Sequence, residues 1–168
     1  MLPTYSVHAL AFALLASMTL AAHAETVTGR VVTIVDGDTL TLLDAANQQH
    51  RIRLSAIDAP EITQDFGQNA KTGLSALAFN QPATANCHRA SPPAIETCVV
   101  TIGGKDIGLE QVLAGMAWWH QQFAGEQSTQ EAADYQQAEF NARIRRFGLW
   151  HSKNPTPPWD WRHGRAED

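Results

Sequence analysis

The alternation of apolar and polar positions divides the chain into a β-rich first half and a helix-rich second half. Val27 to Val35 (Val-Thr-Gly-Arg-Val-Val-Thr-Ile-Val) is rich in β-branched residues, which suit a pleated, half-buried surface, and reads as a first strand. Thr39-Leu40-Thr41-Leu42 and Arg51-Ile52-Arg53-Leu54 each alternate with period two. Asp44-Ala45-Ala46-Asn47 between them has turn chemistry, so the three together read as a β-hairpin. From Gln64 to Phe79, the residues Phe66, Ala70, Leu74 and Leu77 make a helical stripe. Ala83 to His88 is a poor strand by composition, whereas Thr97-Cys98-Val99-Val100-Thr101-Ile102 is a good one, ended by Gly103-Gly104. Two helices follow. Ile107 to Ala117 carries Leu109, Val112, Leu113 and Met116. Ser128-Thr129-Gln130-Glu131 is a capping box that opens a helix running to about Arg146, with Gly148 as its C-terminal stop.

Five strands, with one helix between the third and fourth and two further C-terminal helices, form an α+β pattern. Its element order is that of an OB-fold five-stranded β-barrel. The barrel and its helices are expected over residues 25–153. Residues 1–24 are expected to be a signal peptide, because Leu10 to Ala22 is an apolar run too short to span a membrane and Ala22-His23-Ala24 fits the small-x-small cleavage rule. No Lys or Arg stands near Met1, where a positive segment usually precedes such a run. Residues 154–168, with Pro155, Pro157 and Pro158, read as an extended tail that packs through Trp159 and Trp161.

The chemistry concentrates at the two outer ends of the hairpin. Asp36-Gly37-Asp38-Thr39 precedes it, and Ile57-Asp58-Ala59-Pro60-Glu61 follows it. A hairpin of this length sets those ends side by side, so Asp38 and Asp58 can face each other. Two close carboxylates repel unless a cation lies between them, and oxygen ligands favour a hard ion such as Ca²⁺. Arg53 supplies a planar fork for a phosphate. Glu61 is left free to act as a base. Each element has an ordinary explanation: a turn for Asp-Gly, a helix start for Pro60-Glu61, a solvated strand side chain for Arg53. Together, at this spacing, they point to phosphodiester hydrolysis.

The stretch from Asp36 to Glu61 resembles the first signature of the thermonuclease (staphylococcal-nuclease-like) family. The residues that carry the likeness are Asp-Gly-Asp-Thr, Leu40 and Leu42, Arg53-Leu54, and Ile57-Asp58-x-Pro60-Glu61. Weaker likeness continues through Phe66 to Lys71, Leu113 to Trp118 and Phe147 to Trp150. The resemblance implies Ca²⁺-dependent hydrolysis of DNA and RNA that leaves 3′-phosphate products. It implies Asp38, Asp58 and the Ala59 carbonyl as ion ligands, with Arg53 and Glu61 as catalytic residues. The chain departs from the family at its second signature, a Tyr-Gly-Arg element ahead of the fifth strand. Here that stretch reads Cys87-His88-Arg89-Ala90-Ser91-Pro92-Pro93-Ala94-Ile95-Glu96, and Arg89 is its one basic residue.

Net charge is −5, and the expected leader carries no Asp, Glu, Lys or Arg, so the remainder keeps that charge. An acidic chain opposes a strongly electrostatic nucleic-acid binder, whose usual footprint is basic. The alternative to an enzyme is therefore the same barrel acting as a weak or inactive module that binds nucleic acid or protein. Cys87 and Cys98 are an even pair in an expected export protein, which favours a disulfide and a periplasmic or secreted location. They have neither the spacing nor the histidine neighbours of a zinc site. A monomer with no membrane attachment after cleavage is expected. Arg143, Arg145 and Arg146 suit a helix C-terminus, Trp118, Trp119 and Trp150 suit packing, and His88, His120 and His151 lack metal-ligand spacing.

Overall fold

Strand β1 (Glu25–Ile34) changes partner half-way along, and that change lets one sheet curl into a barrel. Its second half pairs with β2 (Thr39–Asp44), placing Val31 opposite Leu42 and Ile34 opposite Leu40. Its first half pairs with β5 (Pro82–Ser91), Val27 opposite Ala85. The register shifts between Val31 and Thr33, a bulge of the kind that bends a strand. β3 (Gln49–Leu54) runs antiparallel to β2 and parallel to β6 (Ile95–Ile102), and this last pairing closes the ring β3-β2-β1-β5-β6. The computed structural model describes residues 25–91 and 95–164, apart from the side chains of residues 88–91. The leader expected over residues 1–24 lies outside the described residues, and so does the side chain of Arg89.

The interior is filled by the inward positions that the alternation predicts: Val31, Leu40, Leu42, Ile52, Leu54 and Val100 are all buried. Helix α1 (Gly67–Ala78) follows the two-residue strand β4 (Ile57–Asp58) and adds Ala70, Leu74 and Ala78 to this core. After β7 (Lys105–Asp106) come α2 (Ile107–Leu113), β8 (Trp118–Trp119) and α3 (Thr129–Arg145). The five-stranded barrel, the helix between its third and fourth strands and the two later helices are as expected.

Several boundaries differ, each for a physical reason. α1 starts at Gly67, not Gln64, because Phe66 takes a left-handed conformation and the preceding residues are spent on turns. A side chain at Gly67 would run into the Glu61 carbonyl, with a Cβ only 1.9 Å away. α2 stops at Leu113 and not Ala117, since Gly115 turns left-handed (φ 67°) and the chain enters β8 alongside β4. β5 forms despite weak strand composition because it is hydrogen-bonded on both sides, to β1 and to β6. α3 opens on the expected capping box, with Glu131 N donating to Ser128 Oγ (3.2 Å) and Ser128 N donating to Glu131 Oε2 (2.7 Å). It ends at a left-handed Arg146, ahead of Gly148. The tail is not wholly extended: Pro158 begins a short helix, α4 (Pro158–Arg162).

Cys87 and Cys98 lie opposite each other on β5 and β6 and are bonded (S–S 2.08 Å). Arg143 ion-pairs with Glu139 (3.3 Å) and lies 4.1 Å from the centre of the Trp150 ring. A second small core of Trp118, Ala142, Leu149 and Trp150, with Trp159 against it, holds the C-terminal segment to the barrel.

Candidate active site

The turn between β1 and β2 is built to press Asp38 inward. Asp38 N donates to Asp36 Oδ1 (3.0 Å), a local side-chain turn, and Val35 N donates to Thr39 O (2.8 Å). Gly37 is required by close approach, because an added Cβ would lie 2.6 Å from Ala70 Cβ and 2.7 Å from Ala59 Cβ. The buried amide of Gln111 on α2 donates to Gly37 O (2.8 Å) and Ala70 O (3.0 Å), so one side chain ties the turn to two helices. Asp38 then receives Thr39 Oγ1 on Oδ1 (2.8 Å) and Ala59 N on Oδ2 (3.0 Å). The second hydrogen bond joins the two chain reversals directly.

Arg53 lies opposite Thr39 in the hairpin register, at the end nearest both aspartates. Its Nη2 is 3.0 Å from Asp58 Oδ1 and 3.7 Å from Asp38 Oδ2. Asp38, Asp58 and Arg53 thus converge on one point. The Asp38 and Asp58 side chains are only 8% and 2% exposed, whereas the Arg53 side chain is 41% exposed. Burial pushes the Asp38 carboxyl up to about 7; Asp36 and Asp58 add to that, while Arg53 and the Ala59 N–H oppose it. Glu61 is held by its backbone, with its N–H donating to Gln64 Oε1 (3.1 Å), and its carboxylate is 39% exposed.

A second arginine completes the group. Arg162, in the last turn of α4, donates from Nη1 to Asp58 Oδ1 (3.0 Å), from Nη2 to Asp58 Oδ2 (2.6 Å), and from Nη1 to Glu61 Oε1 (2.8 Å). These bonds push its guanidinium further into the charged form, Asp58 contributing most. His120 adjoins the site, its ring 5.0 Å from that of Trp159 and 4.8 Å from that of Phe123. Burial lowers its pKa, partly offset by Asp58. Cys87, Cys98 and Glu96 are the one group of three ligand-type side chains among the described residues whose ligand atoms lie within 4.8 Å of one another, and the two sulfurs are already bonded to each other.

Residues 51–152 match the family model described as staphylococcal nuclease homologue. The chain belongs to the staphylococcal nuclease family. It is 38% identical over 135 residues to an uncharacterized endonuclease of Haemophilus influenzae, covering 80% of this chain and 72% of that one. It is 35% identical over 143 residues to the micrococcal nuclease of Shigella flexneri, covering 80% of this chain and 79% of that one. An uncharacterized endonuclease of Escherichia coli is 35% identical over 136 residues, with 80% and 84% covered. In this family member Asp38, Arg53, Asp58 and Ala59 lie together where the β2–β3 hairpin opens, Glu61 is linked to Asp58 through Arg162, and the Cys87–Cys98 bridge joins β5 to β6 with Cys98 opposite Leu54.

Sequence reasoning missed Arg162 and His120. Arg162 lies 104 residues from Asp58 and beyond the family match, so neither local spacing nor motif points to it. The one available signal was the pair of cations Arg162 and Arg165 after Pro157-Pro158-Trp159-Asp160-Trp161 in an acidic chain. His120 could have been found only by noting that it follows β8, the strand that pairs with β4 and Asp58.

Proposed function

We propose that this nuclease cleaves DNA and RNA with the help of Ca²⁺, leaving 3′-phosphate ends, and that it acts as a monomer exported to the periplasm or beyond. The observation that carries the reading is the convergence of Asp38 and Asp58 on one Arg53 nitrogen, with Glu61 beside them. The residues fit a hard divalent ion. Two buried carboxylates share one site, burial holds Asp38 above its ordinary range even with Arg53 3.7 Å away, and carboxylate and carbonyl oxygens are the donors a hard ion takes. Asp38, Asp58 and the Ala59 carbonyl would hold the ion. When bound, Ca²⁺ supplies positive charge to a phosphate oxygen.

The chain's own residues supply the rest. Arg53, with its exposed guanidinium, binds the scissile phosphate by its planar fork. Glu61, on the exposed rim, accepts the proton of the attacking water. The expected leader and the bonded cysteines both favour an oxidising compartment. The test is degradation of single-stranded DNA and of RNA by the purified mature protein, with Ca²⁺ and with chelator. Digestion that needs Ca²⁺ is expected. Equal digestion in chelator would remove the metal from the account, and none in either would favour a binding module.

A further inference from the structure

We propose that Arg162 is a catalytic residue, the second arginine of the phosphate clamp, delivered by the C-terminal helix in place of the missing Tyr-Gly-Arg element. The proposal rests on the nuclease reading above and extends it to a residue outside the family match.

The two arginines are disposed alike. Asp58 Oδ1 accepts from Arg53 Nη2 and from Arg162 Nη1, both at 3.0 Å, so both guanidiniums are braced on the same carboxylate oxygen. Their side chains are 41% and 39% exposed, open enough to meet a phosphate while braced on buried acid. Arg162 alone also reaches Glu61, the proposed base, at 2.8 Å. It is held in place from two directions. Gln64 receives the Glu61 N–H on Oε1 and donates its Nε2 to Thr156 O, joining the base's turn to the tail. Trp159 packs edge-on to Trp118 (6.3 Å) and against His120 (5.0 Å), which fixes the helix that carries Arg162.

Charge gives the second reason. Asp36, Asp38, Asp58 and Glu61 bring four carboxylates to the site. A divalent ion and Arg53 would leave it with one negative charge too many to attract a phosphodiester. Arg162 brings it to neutrality, and in a chain of net charge −5 no general basic field takes its place. In the reaction the water oxygen bonds to phosphorus while Glu61 takes a water proton. The bond from phosphorus to the leaving oxygen breaks with its electron pair, and that oxygen gains a proton from solvent. The charge that builds on the phosphate oxygens is shared between Arg53 and Arg162.

The experiment compares the parent with Arg162→Ala, Arg162→Lys and Arg89→Ala. Steady-state cleavage of single-stranded DNA, calorimetric Ca²⁺ affinity and calorimetric affinity for a deoxynucleoside 3′-monophosphate are measured for each. Arg162→Ala should lower kcat by about 10²–10³-fold, the usual cost of one lost transition-state donor. It should weaken the mononucleotide about tenfold without lowering Ca²⁺ affinity. Arg162→Lys should recover little, because an ammonium lacks the fork; being still cationic, it also carries the test should the alanine variant unfold. Arg162→Ala with raised activity and tighter Ca²⁺ would show a plug and overturn the proposal. So would full activity in Arg162→Ala, or a loss found in Arg89→Ala instead. A parent that binds Ca²⁺ and the mononucleotide through Arg162 but cleaves nothing would overturn the hydrolase reading and leave the phosphate contact standing.

Discussion

At the turn end of the β2–β3 hairpin, His50 lies between two carboxylates, Asp44 (3.0 Å) and Glu96 (3.1 Å); at the open end, Arg53 lies between Asp58 and Asp38. Each end sets two acids around one base, the open end with Arg162 as a second cation on Asp58, yet the outcomes are opposite. Hydrogen bonding to His50 lowers Asp44, and hydrogen bonding to Asp44 raises His50, so each group favours its partner's charged form. At the open end Asp38 is driven up to about 7, because its burial outweighs the attraction of Arg53. The turn end is a closed ion network on the surface of a strand pair. The open end is left short of positive charge, and that shortage makes it a receptor for a cation and a phosphate. Carboxylate count does not distinguish a fastener from a site; burial relative to available counter-charge does.

The sharpest way to separate the two ends is through the acid with no role in holding the hairpin. Glu61→Gln should lower kcat by about 10²-fold or more, the size expected for loss of a general base. Its Ca²⁺ affinity and melting temperature should stay near those of the parent, since the Glu61 side chain is partly exposed. Single-turnover cleavage by Glu61→Gln at the parent's rate would mean that another group takes the proton.

Asp38→Asn should invert the usual result of removing a charged group. The folded pKa of Asp38 (about 7) lies above the ordinary aspartate value of 3.8, so this carboxyl destabilises the fold once ionised. In chelator the parent should therefore lose stability as pH rises from about 4 to about 7, by at most about 4 kcal/mol. Asp38→Asn should lack that slope, melt higher than the parent near neutral pH, and gain nothing from added Ca²⁺. The decisive data are thermal melts of both proteins across that range. A variant that melts below the parent at pH 8 in chelator would place the shortage of positive charge somewhere else.

The open end was legible in the sequence because a hairpin is a local device. Alternation in Thr39–Leu42 and Arg51–Leu54 fixes the register, and the register alone brings Asp38, Arg53 and Asp58 together. The turn-end network was not legible, because Glu96 reaches His50 through the parallel pairing of β3 with β6, 46 residues apart. Arg162 was hidden for the same reason on a larger scale, its position being set by Trp159 on Trp118 and by Gln64 on Thr156. β5 shows the limit of propensity, since a ladder on each side makes a strand of Ala83-Thr84-Ala85-Asn86. Short-range pattern therefore gave the barrel order and the first half of the site, while long-range packing gave the tail's contribution.

The disulfide offers a smaller test, because it joins β5 to β6 and its sulfurs bond each other rather than any site residue, although Cys98 lies opposite Leu54 at the open end. A free-thiol titration of the denatured, unreduced protein should find none. Reduction should cost about 3 kcal/mol, the chain-entropy value for a short loop, with Ca²⁺ affinity unchanged. Loss of Ca²⁺ binding on reduction would mean that the two regions are coupled through β3, where Leu54 pairs with Cys98.

The smallest effect is expected at the turn end itself, and its pH dependence is what identifies it. His50 is raised above 6.5, so its contribution is fully present below that pH and is lost as pH rises through its folded value. Asp44 is lowered below 3.8, so its contribution is present above that value and is lost only as pH falls through its folded one. The network is therefore strongest between the ordinary aspartate and histidine values of 3.8 and 6.5, in mildly acidic solution. His50→Gln should lower the melting temperature by a few degrees there, where it leaves Asp44 and Glu96 with no shared cation. The gap should shrink as pH rises through the folded value of His50, where the parent's imidazole loses its proton as well. Nuclease rate and Ca²⁺ affinity should not change, because His50 makes its bonds to Asp44 and Glu96, while Asp38 and Asp58 make theirs with Arg53 and Arg162. A gap of constant size from pH 5 to pH 8 would mean that His50 contributes by packing alone, and the contrast between a charge-balanced end and a charge-starved end would then lose its first half.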